Sequence, residues 1–600
     1  MEGEVSPLHA KKQNGLINGV IDNDYGGTDN SNTTEPLERT SETAENLANE
    51  ARDQWDRPVE FIMACMATSV GLGNVWRFPT AAFDNGGGAF LIPYLIVLTL
   101  IGRPLYFLEL VIGQFSSSGS IRVWETVPAM KGIGYGQMIA TWYVVTYYSF
   151  LMGLTVFYLG MSFSDILPWS VCDKDWADEN CVDFTSRSLG RSNNSQSSAE
   201  QYFFNYVLQL KDDITDGIGL PDWRLVLCLL FSWLLLFLTQ AQGIKSSGKV
   251  AYFTALFPYV LLVSLMIHGA LLPGAVDGML YFITPQWTRL LDSQVWFAAV
   301  TQAFFSLGIG FGTLIHLASY NSFSQNVYRV TWIISIIDTF TSLLAGVTIF
   351  AILGNLAHEI DVEIEDVVRS GSGLAFISYP EALARFTFAP QLFSVLFFMM
   401  LLTLCVGSIQ GLLGSIITVI TDECPARWTL LVTIVVCVAT FLASLFYTTP
   451  GGLWILSLMD YFGGSFIIFV LAIFESATLI YIYGLKKIIQ DVKFMLNIDL
   501  GFYWKITWGL CPVLLLGIFT YSMVFLDLPT VRDELFPDIA YVCGFFFASL
   551  GMAMVPIGFF YSLAHTQGKT VREKFNIMLS PTDKWGPKQE VHKKEWEKIK

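Results

Sequence analysis

Ser69-Val70-Gly71-Leu72-Gly73-Asn74 and Ser306-Leu307-Gly308-Ile309-Gly310-Phe311 read alike: serine, aliphatic, glycine, aliphatic, glycine. Each lies in the middle of a long apolar run, where a membrane helix is expected. Glycines one residue apart weaken such a helix. Backbone groups freed at membrane depth are tolerated only where they line a cavity or meet a ligand. Small residues also let membrane helices pack closely. Here, however, both segments carry hydroxyls and flanking aromatics, and the first an Asn, which packing does not require. Both helices are expected to unwind at these points. Two interrupted helices in corresponding places of two halves are the sequence pointer to a transporter's binding site.

Working outward, apolar runs long enough to cross a bilayer fall near 59–82, 89–113, 137–166, 224–242, 250–271, 294–318, 328–356, 390–420, 429–447, 453–484, 506–526 and 541–563, which is about twelve crossings. The broken runs are the first and the sixth. That is the spacing of two five-helix halves of inverted topology, so the fold class is all-α integral membrane with a 5+5 inverted repeat. Composition agrees: of 600 residues, 53% are hydrophobic and only 14% charged, too little polar surface for a water-soluble globule of this size. The lipid bilayer is the expected solvent. A net charge of -16 with no basic stripe excludes a nucleic-acid partner.

Short loops carrying Arg122 and Lys131, Lys245 and Lys249, Arg329, Arg427, and Lys486, Lys487 and Lys493 alternate with poorer ones. The positive-inside rule then places both termini in the cytosol of a plasma-membrane protein. Residues 1–50 read as a disordered, polar N-terminal tail, 51–565 as the transporter domain and 566–600 as a solvated cytosolic tail. The large loop, 166–223, falls outside. It holds Cys172 and Cys181, expected to pair there, and Asn193 in an Asn-Asn-Ser sequon, expected to carry a glycan. The polar loop 357–385 reads as a structured outer cap.

The run Gly71-Leu72-Gly73-Asn74-Val75-Trp76-Arg77-Phe78-Pro79, followed by Asn85-Gly86-Gly87-Gly88-Ala89-Phe90, resembles the first two spans of neurotransmitter:sodium symporters. Further matches come in order at Gly132-Ile133-Gly134-Tyr135-Gly136, Tyr147-Tyr148, Phe304-Phe305-Ser306-Leu307-Gly308, Ala318-Ser319-Tyr320-Asn321, Gly373-Leu374-Ala375-Phe376, Tyr379-Pro380-Glu381-Ala382 and Asp422-Glu423. Within that family the chain looks most like the insect nutrient amino acid transporters. The resemblance implies a bacterial leucine transporter-like fold and cation-coupled uptake of small neutral amino acids by alternating access. No nucleophile, metal cluster or phosphate loop suggests an enzyme.

A zwitterion held at mid-membrane needs partners for both charges. N–H groups near Leu72 and Gly73 open a half-helix whose positive end suits a carboxylate, and the resemblance adds the Tyr148 hydroxyl. Gly71 stands where monoamine carriers of the family have Asp, which excludes monoamines as substrates. The pocket implied by the resemblance is completed by Val144, Phe305, Ser306, Gly308, Phe311, Ile409 and Leu412. A first cation site would use the Ser69 carbonyl, Asn74, Ser306 and Asp338 together with the substrate's own carboxylate. A second would use carbonyls of Ala67, Val70 and Leu404 with Ser408. Oxygen ligation suits Na+. Tyr94, Gln302, Ser306 and Ser342 match the family's chloride site.

Two departures stand out. Asp338 replaces the usual Asn, placing a carboxylate beside the chloride-like site and lessening the need for the anion. Gly407 removes a side-chain oxygen from the second cation site, which is expected to loosen that cage. Both favour use of K+ as well as Na+ and a weak chloride requirement. Arg77 with Asp460 matches the family's outer gate; Arg52 with Asp422, helped by Trp55 and Tyr320, matches the inner one. Two alternatives compete: a channel or receptor, which predicts pore-lining rings rather than broken helices with ion ligands, and a neuronal-type Na+/Cl- coupled carrier for glycine, proline or GABA, which also has Gly at position 71.

Overall fold

The protein is described by a computed structural model over residues 54–183, 196–241, 243–364, 373–386, 388–525, 528–532 and 534–599. Arg52, Asn193 and the N-terminal tail lie outside the described residues. Each of the apolar runs forms helix, and we number them spans 1 to 12 in chain order. Among the described residues ten helices are long and apolar enough to cross a bilayer: Gly88–Ser116, Pro128–Met161, Trp223–Gln240, Ser247–Ala270, Val327–Glu359, Pro390–Thr421, Thr429–Thr448, Gly452–Leu496, Phe502–Val524 and Asp538–His565. Span 1 is the pair Pro58–Ser69 and Gly73–Asp84, bent by 41°. Span 6 is Ser293–Leu307 followed by Thr313–Ala318. Its halves, of 15 and 6 residues, are each too short to cross alone. The chain is a multi-pass, all-α membrane protein, and among the described residues the strands form only short pairs in loops.

Burial sorts the spans. In span 3, 78% of the apolar window is buried, and in span 8, 67%, against 28% in span 9 and 22% in span 12. Spans 9 and 12 turn Val435, Val438, Val542 and Phe546 outward, where lipid rather than water meets them. The buried spans carry the polar side chains. Buried polar groups must find partners, so the inner spans assemble around their own polar clusters and the apolar ones enclose them.

Both breaks occur where the glycine pattern places them, by different means. The first half of span 1 stops at Ser69, and Val70 is extended. In span 6, Gly308, Gly310 and Gly312 take φ of +70°, +81° and +70°, which a residue with a Cβ adopts only at a cost. Wide turns at Gly73–Arg77 in span 1 and Asp460–Phe466 in span 10 are the kind of local insertion that gathers at functional sites.

The large loop carries the expected Cys172–Cys181 disulfide. In the cap loop Leu374–Ser378 and Tyr379–Ala384 are helical, and the Trp169 indole N–H and Tyr158 hydroxyl donate to the Pro380 and Phe376 carbonyls. The expectation of a solvated C-terminal tail is overturned. Val571–Met578 and Glu590–Ile599 are helices, and the indole N–H groups of Trp585 and Trp596, both buried, donate to Tyr483 Oη and Asp491 Oδ1. Two tryptophans in a Lys- and Glu-rich stretch supply enough apolar surface to dock it.

Candidate functional site

The polar groups released by the broken helices are taken up by side chains of the same and neighbouring spans. Gly71 N–H donates to Asn74 Oδ1 at 3.1 Å and Leu72 N–H to Tyr148 Oη at 3.0 Å. Gln302 Nε2 donates to the Gly73 carbonyl, and Thr141 to the Phe311 carbonyl. These bonds aim the start of the second half of span 1 at Tyr148 and Phe305.

Around this point lies a small cavity of about 20 Å³. It is lined by the expected Gly71, Gly73, Val144, Tyr148, Phe305, Ser306, Gly308, Phe311 and Leu412, and also by Ser69 and Ser408. Ile409 is buried but does not line it, and Leu72 faces a second, larger cavity. Thr68 also lines the small cavity. Nothing in the sequence singled it out, because its hydroxyl is spent on the Ala64 carbonyl one turn back. A Cβ on Gly71 would stand 2.1 Å from Ser408 Oγ and 3.1 Å from Tyr148 Oη. Any side chain at this position requires Ser408 Oγ to rotate and Tyr148 Oη to give way.

Beside the cavity, Asp338 is fully buried at the centre of a polar cluster. Its Oδ1 accepts from Asn74 Nδ2 at 2.8 Å and from Ser306 Oγ at 2.7 Å, and its Oδ2 from Tyr94 Oη at 3.4 Å. Asn74 Nδ2 also lies within reach of Ser306 Oγ, Ser342 Oγ and the Asp338 carbonyl. One amide nitrogen with two hydrogens thus serves four acceptors, and Gln302 Oε1 and Ser69 Oγ are buried without a partner. Among the described residues no Lys, Arg or His pairs with Asp338. An oxygen-rich, anionic cluster with no basic side chain fits a hard cation.

At the second expected cation site, Ser408 Oγ faces the Thr68 carbonyl at 3.5 Å. Leu404 and Val70 are buried. The expected loosening at Gly407 is not seen. A Cβ there would lie 2.7 Å from the Ala67 carbonyl oxygen, so span 8 closes on span 1 and no space is left by the missing side chain.

The larger cavity, about 720 Å³, reaches from Tyr148 and Phe305 to Glu200 and Phe204, which follow the disulfide loop. Arg77 Nη1 meets Asp460 Oδ1 at 2.7 Å on the wall of this larger cavity, its guanidinium 4.4 Å above the Phe305 ring. Tyr147 donates to the same Asp460 oxygen and Ser465 accepts from Arg77, two partners that sequence reasoning did not assign to a gate. On the opposite side Trp55 N donates to the Tyr320 carbonyl and Trp55 Nε1 to that of Leu317, both at 3.1 Å. Tyr320 Oη bonds Thr418, and Asp422 Oδ2 accepts from Gly119 N.

The sequence model of the Sodium:neurotransmitter symporter family matches residues 52–566. The chain belongs to this family. A protein named Sodium-dependent nutrient amino acid transporter 1 in Drosophila pseudoobscura pseudoobscura is 46% identical over 583 residues, covering 94% of this chain and 88% of that protein. Its namesake in Drosophila melanogaster is 46% identical over 593 residues, covering 94% and 91%. The resemblance to insect nutrient amino acid carriers read from the sequence is thereby borne out. This symporter-family member is a transporter and not an enzyme.

Proposed function

We propose that this symporter-family protein couples Na+ to the uptake of neutral amino acids across the plasma membrane by alternating access, with both termini in the cytosol. The observation that carries the reading is the join beside Gly71: the Leu72 N–H meets the Tyr148 hydroxyl where Tyr148 lines both cavities, and the Asp338 cluster is linked to Gly71 through Asn74. An amino acid carboxylate placed there meets donors from Tyr148 and the start of a half-helix. Its side chain points to Val144, Phe311 and Leu412, an apolar lining suited to neutral substrates.

Coupling follows from the shared ligand. A cation held by Asn74, Ser306, Asp338 and the Ser69 carbonyl gains the substrate's carboxylate only when substrate is present, so each raises the other's affinity by the same factor. Asp338 already accepts from Tyr94 and Ser306, two of the groups a chloride would otherwise meet. Chloride is weakly required for this reason, and K+ serves beside Na+ because the fixed charge attracts either ion. The closeness of span 8 to Ala67 supports a tight second site, so the broader cation use rests on Asp338 alone. Arg77 and Asp460 gate one side; Trp55, Tyr320 and Asp422, with Arg52, gate the other. Asn193 carries a glycan on the outer loop.

The test is radiolabelled uptake by the expressed carrier with a panel of amino acids and their decarboxylated amines. Leucine-like zwitterions compete and the amines do not. Equal competition by the amines contradicts the assignment.

A further inference from the structure

Two carboxylates that the transport reading does not use stand beside the break in span 6. Glu109 in span 2 and Glu475 in span 10 are 1% and 2% exposed. Glu109 Oε1 accepts the Gly310 N–H at 2.7 Å, within the break itself. Glu475 Oε2 accepts from Gln137 Nε2, in span 3, at 2.8 Å. The second oxygen of each carboxylate is buried and receives no hydrogen bond from the protein, and the same holds for Gln137 Oε1. Gln137 is fully buried and this oxygen faces the break, since a Cβ on Gly312 would lie 3.8 Å from it.

The carboxylates act on each other electrostatically. Of the other titratable groups nearby, Cys511 in span 11 faces Glu475. Tyr106, one turn from Glu109, and Cys65 in span 1 face each other. His316, in the second half of span 6, bonds Thr418. Among the described residues no Lys, Arg or His pairs with either carboxylate. Like charges in a dry, shared site do not both stay ionised, and an ionisable group inside the membrane is a functional hypothesis by default.

We propose that Glu109 and Glu475 form a proton-binding site that holds one proton between them, and that its occupancy is coupled to the hinge of span 6 through the Gly310 N–H. An ionised Glu109 is the stronger acceptor for that N–H and fixes the break. With the proton on Glu109 the anchor weakens, and the second half of span 6 is freer to swing. In release, the carboxyl O–H bond breaks, its electron pair stays on the carboxylate and the proton passes to water on the side to which the hinge has opened. The site is separate from the Asp338 cluster. It rests on the carrier reading only in that span 6 must move.

The experiment uses the purified full-length carrier in lipid, following the carboxylic acid C=O band by infrared difference spectroscopy as pH rises. The expected result is a band that fades with pH in the parent, persists in Asp338→Asn and is lost in Glu475→Gln. Uptake by Glu475→Gln is expected to lose the parent's pH dependence and keep its Na+ dependence. The proposal is overturned if the parent shows no such band, or if Glu475→Gln retains it. It is equally overturned if Glu475→Gln changes the cation requirement and leaves the pH profile intact, which would make the site one for a metal cation. Should that variant fail to reach the membrane, the parent and Asp338→Asn spectra decide alone.

Discussion

Gly71→Ala adds a single methyl group where the helices meet. Its Cβ would stand 2.1 Å from Ser408 Oγ, 3.1 Å from Tyr148 Oη and 3.4 Å from Ser408 Cβ. The Ser408 hydroxyl must leave the Thr68 carbonyl it faces at 3.5 Å, and Tyr148 Oη must give by a few tenths of an ångström although it is tied to Leu72 N–H at 3.0 Å. Overpacking of this kind costs about 1–3 kcal/mol, which corresponds to about a five- to hundredfold rise in KM if it falls on the substrate-bound state. The assay is amino acid uptake normalised to surface protein, with thermal unfolding of the purified carrier alongside. Adding Ser408→Ala removes the nearest atom, so the double variant should recover part of the lost thermal stability, a coupling of about 0.5–3 kcal/mol. A Gly71→Ala carrier with the parent's KM and stability, or no recovery in the double variant, would refute the close packing on which the Gly71 argument rests.

Tyr148→Phe removes an acceptor from Leu72 N–H and the donor proposed for the substrate carboxylate. Hydrogen bonds to charged groups contribute about 1.5–3 kcal/mol, so KM for amino acids should rise roughly ten- to a hundredfold, and an unchanged KM at normal surface expression would count against the pose. Glu125, between spans 2 and 3, ties the C-terminal segment through Thr582. Burial raises its carboxyl, but Lys131, Thr582 and Lys584 outweigh this and hold it below the ordinary glutamate range. Its stabilisation is therefore present above that range and lost as pH falls below it, through the lowered value of the folded state. Limited proteolysis should show the C-terminal segment released on acidification, and Glu125→Gln should flatten the response. Surface protein should yield Cys172 and Cys181 as a disulfide, and the glycosidase shift should vanish in Asn193→Gln; a persisting shift rejects that glycan.

How far the sequence carried this account depends on how local each signal is. The spans were legible because crossing a bilayer demands a continuous apolar run. The breaks were legible because paired glycines and hydroxyls mark them within six residues. Asp338 was legible because an acid inside an apolar span is expensive and stands where the family usually has Asn. Gly407 misled because a missing side chain says nothing about whether its neighbour moves in, and here the Ala67 carbonyl does. Glu109, Gln137 and Glu475 come from three spans, and nothing local links them. The C-terminal segment was misread because its composition is that of a solvated tail, and only its docked tryptophans distinguish it.

The central claim, that a cation and an amino acid share the site organised by Asp338, is tested most directly by uptake with the cation exchanged. Parent and Asp338→Asn carriers are compared in Na+, K+ and chloride-free media at matched surface expression. The account predicts that the parent takes up neutral amino acids in Na+ and, more weakly, in K+, with little dependence on chloride. Asp338→Asn should lose the K+-driven component and become chloride-dependent. Uptake by the parent only in Na+ with chloride, or an Asp338→Asn carrier with the parent's ion profile, would contradict it.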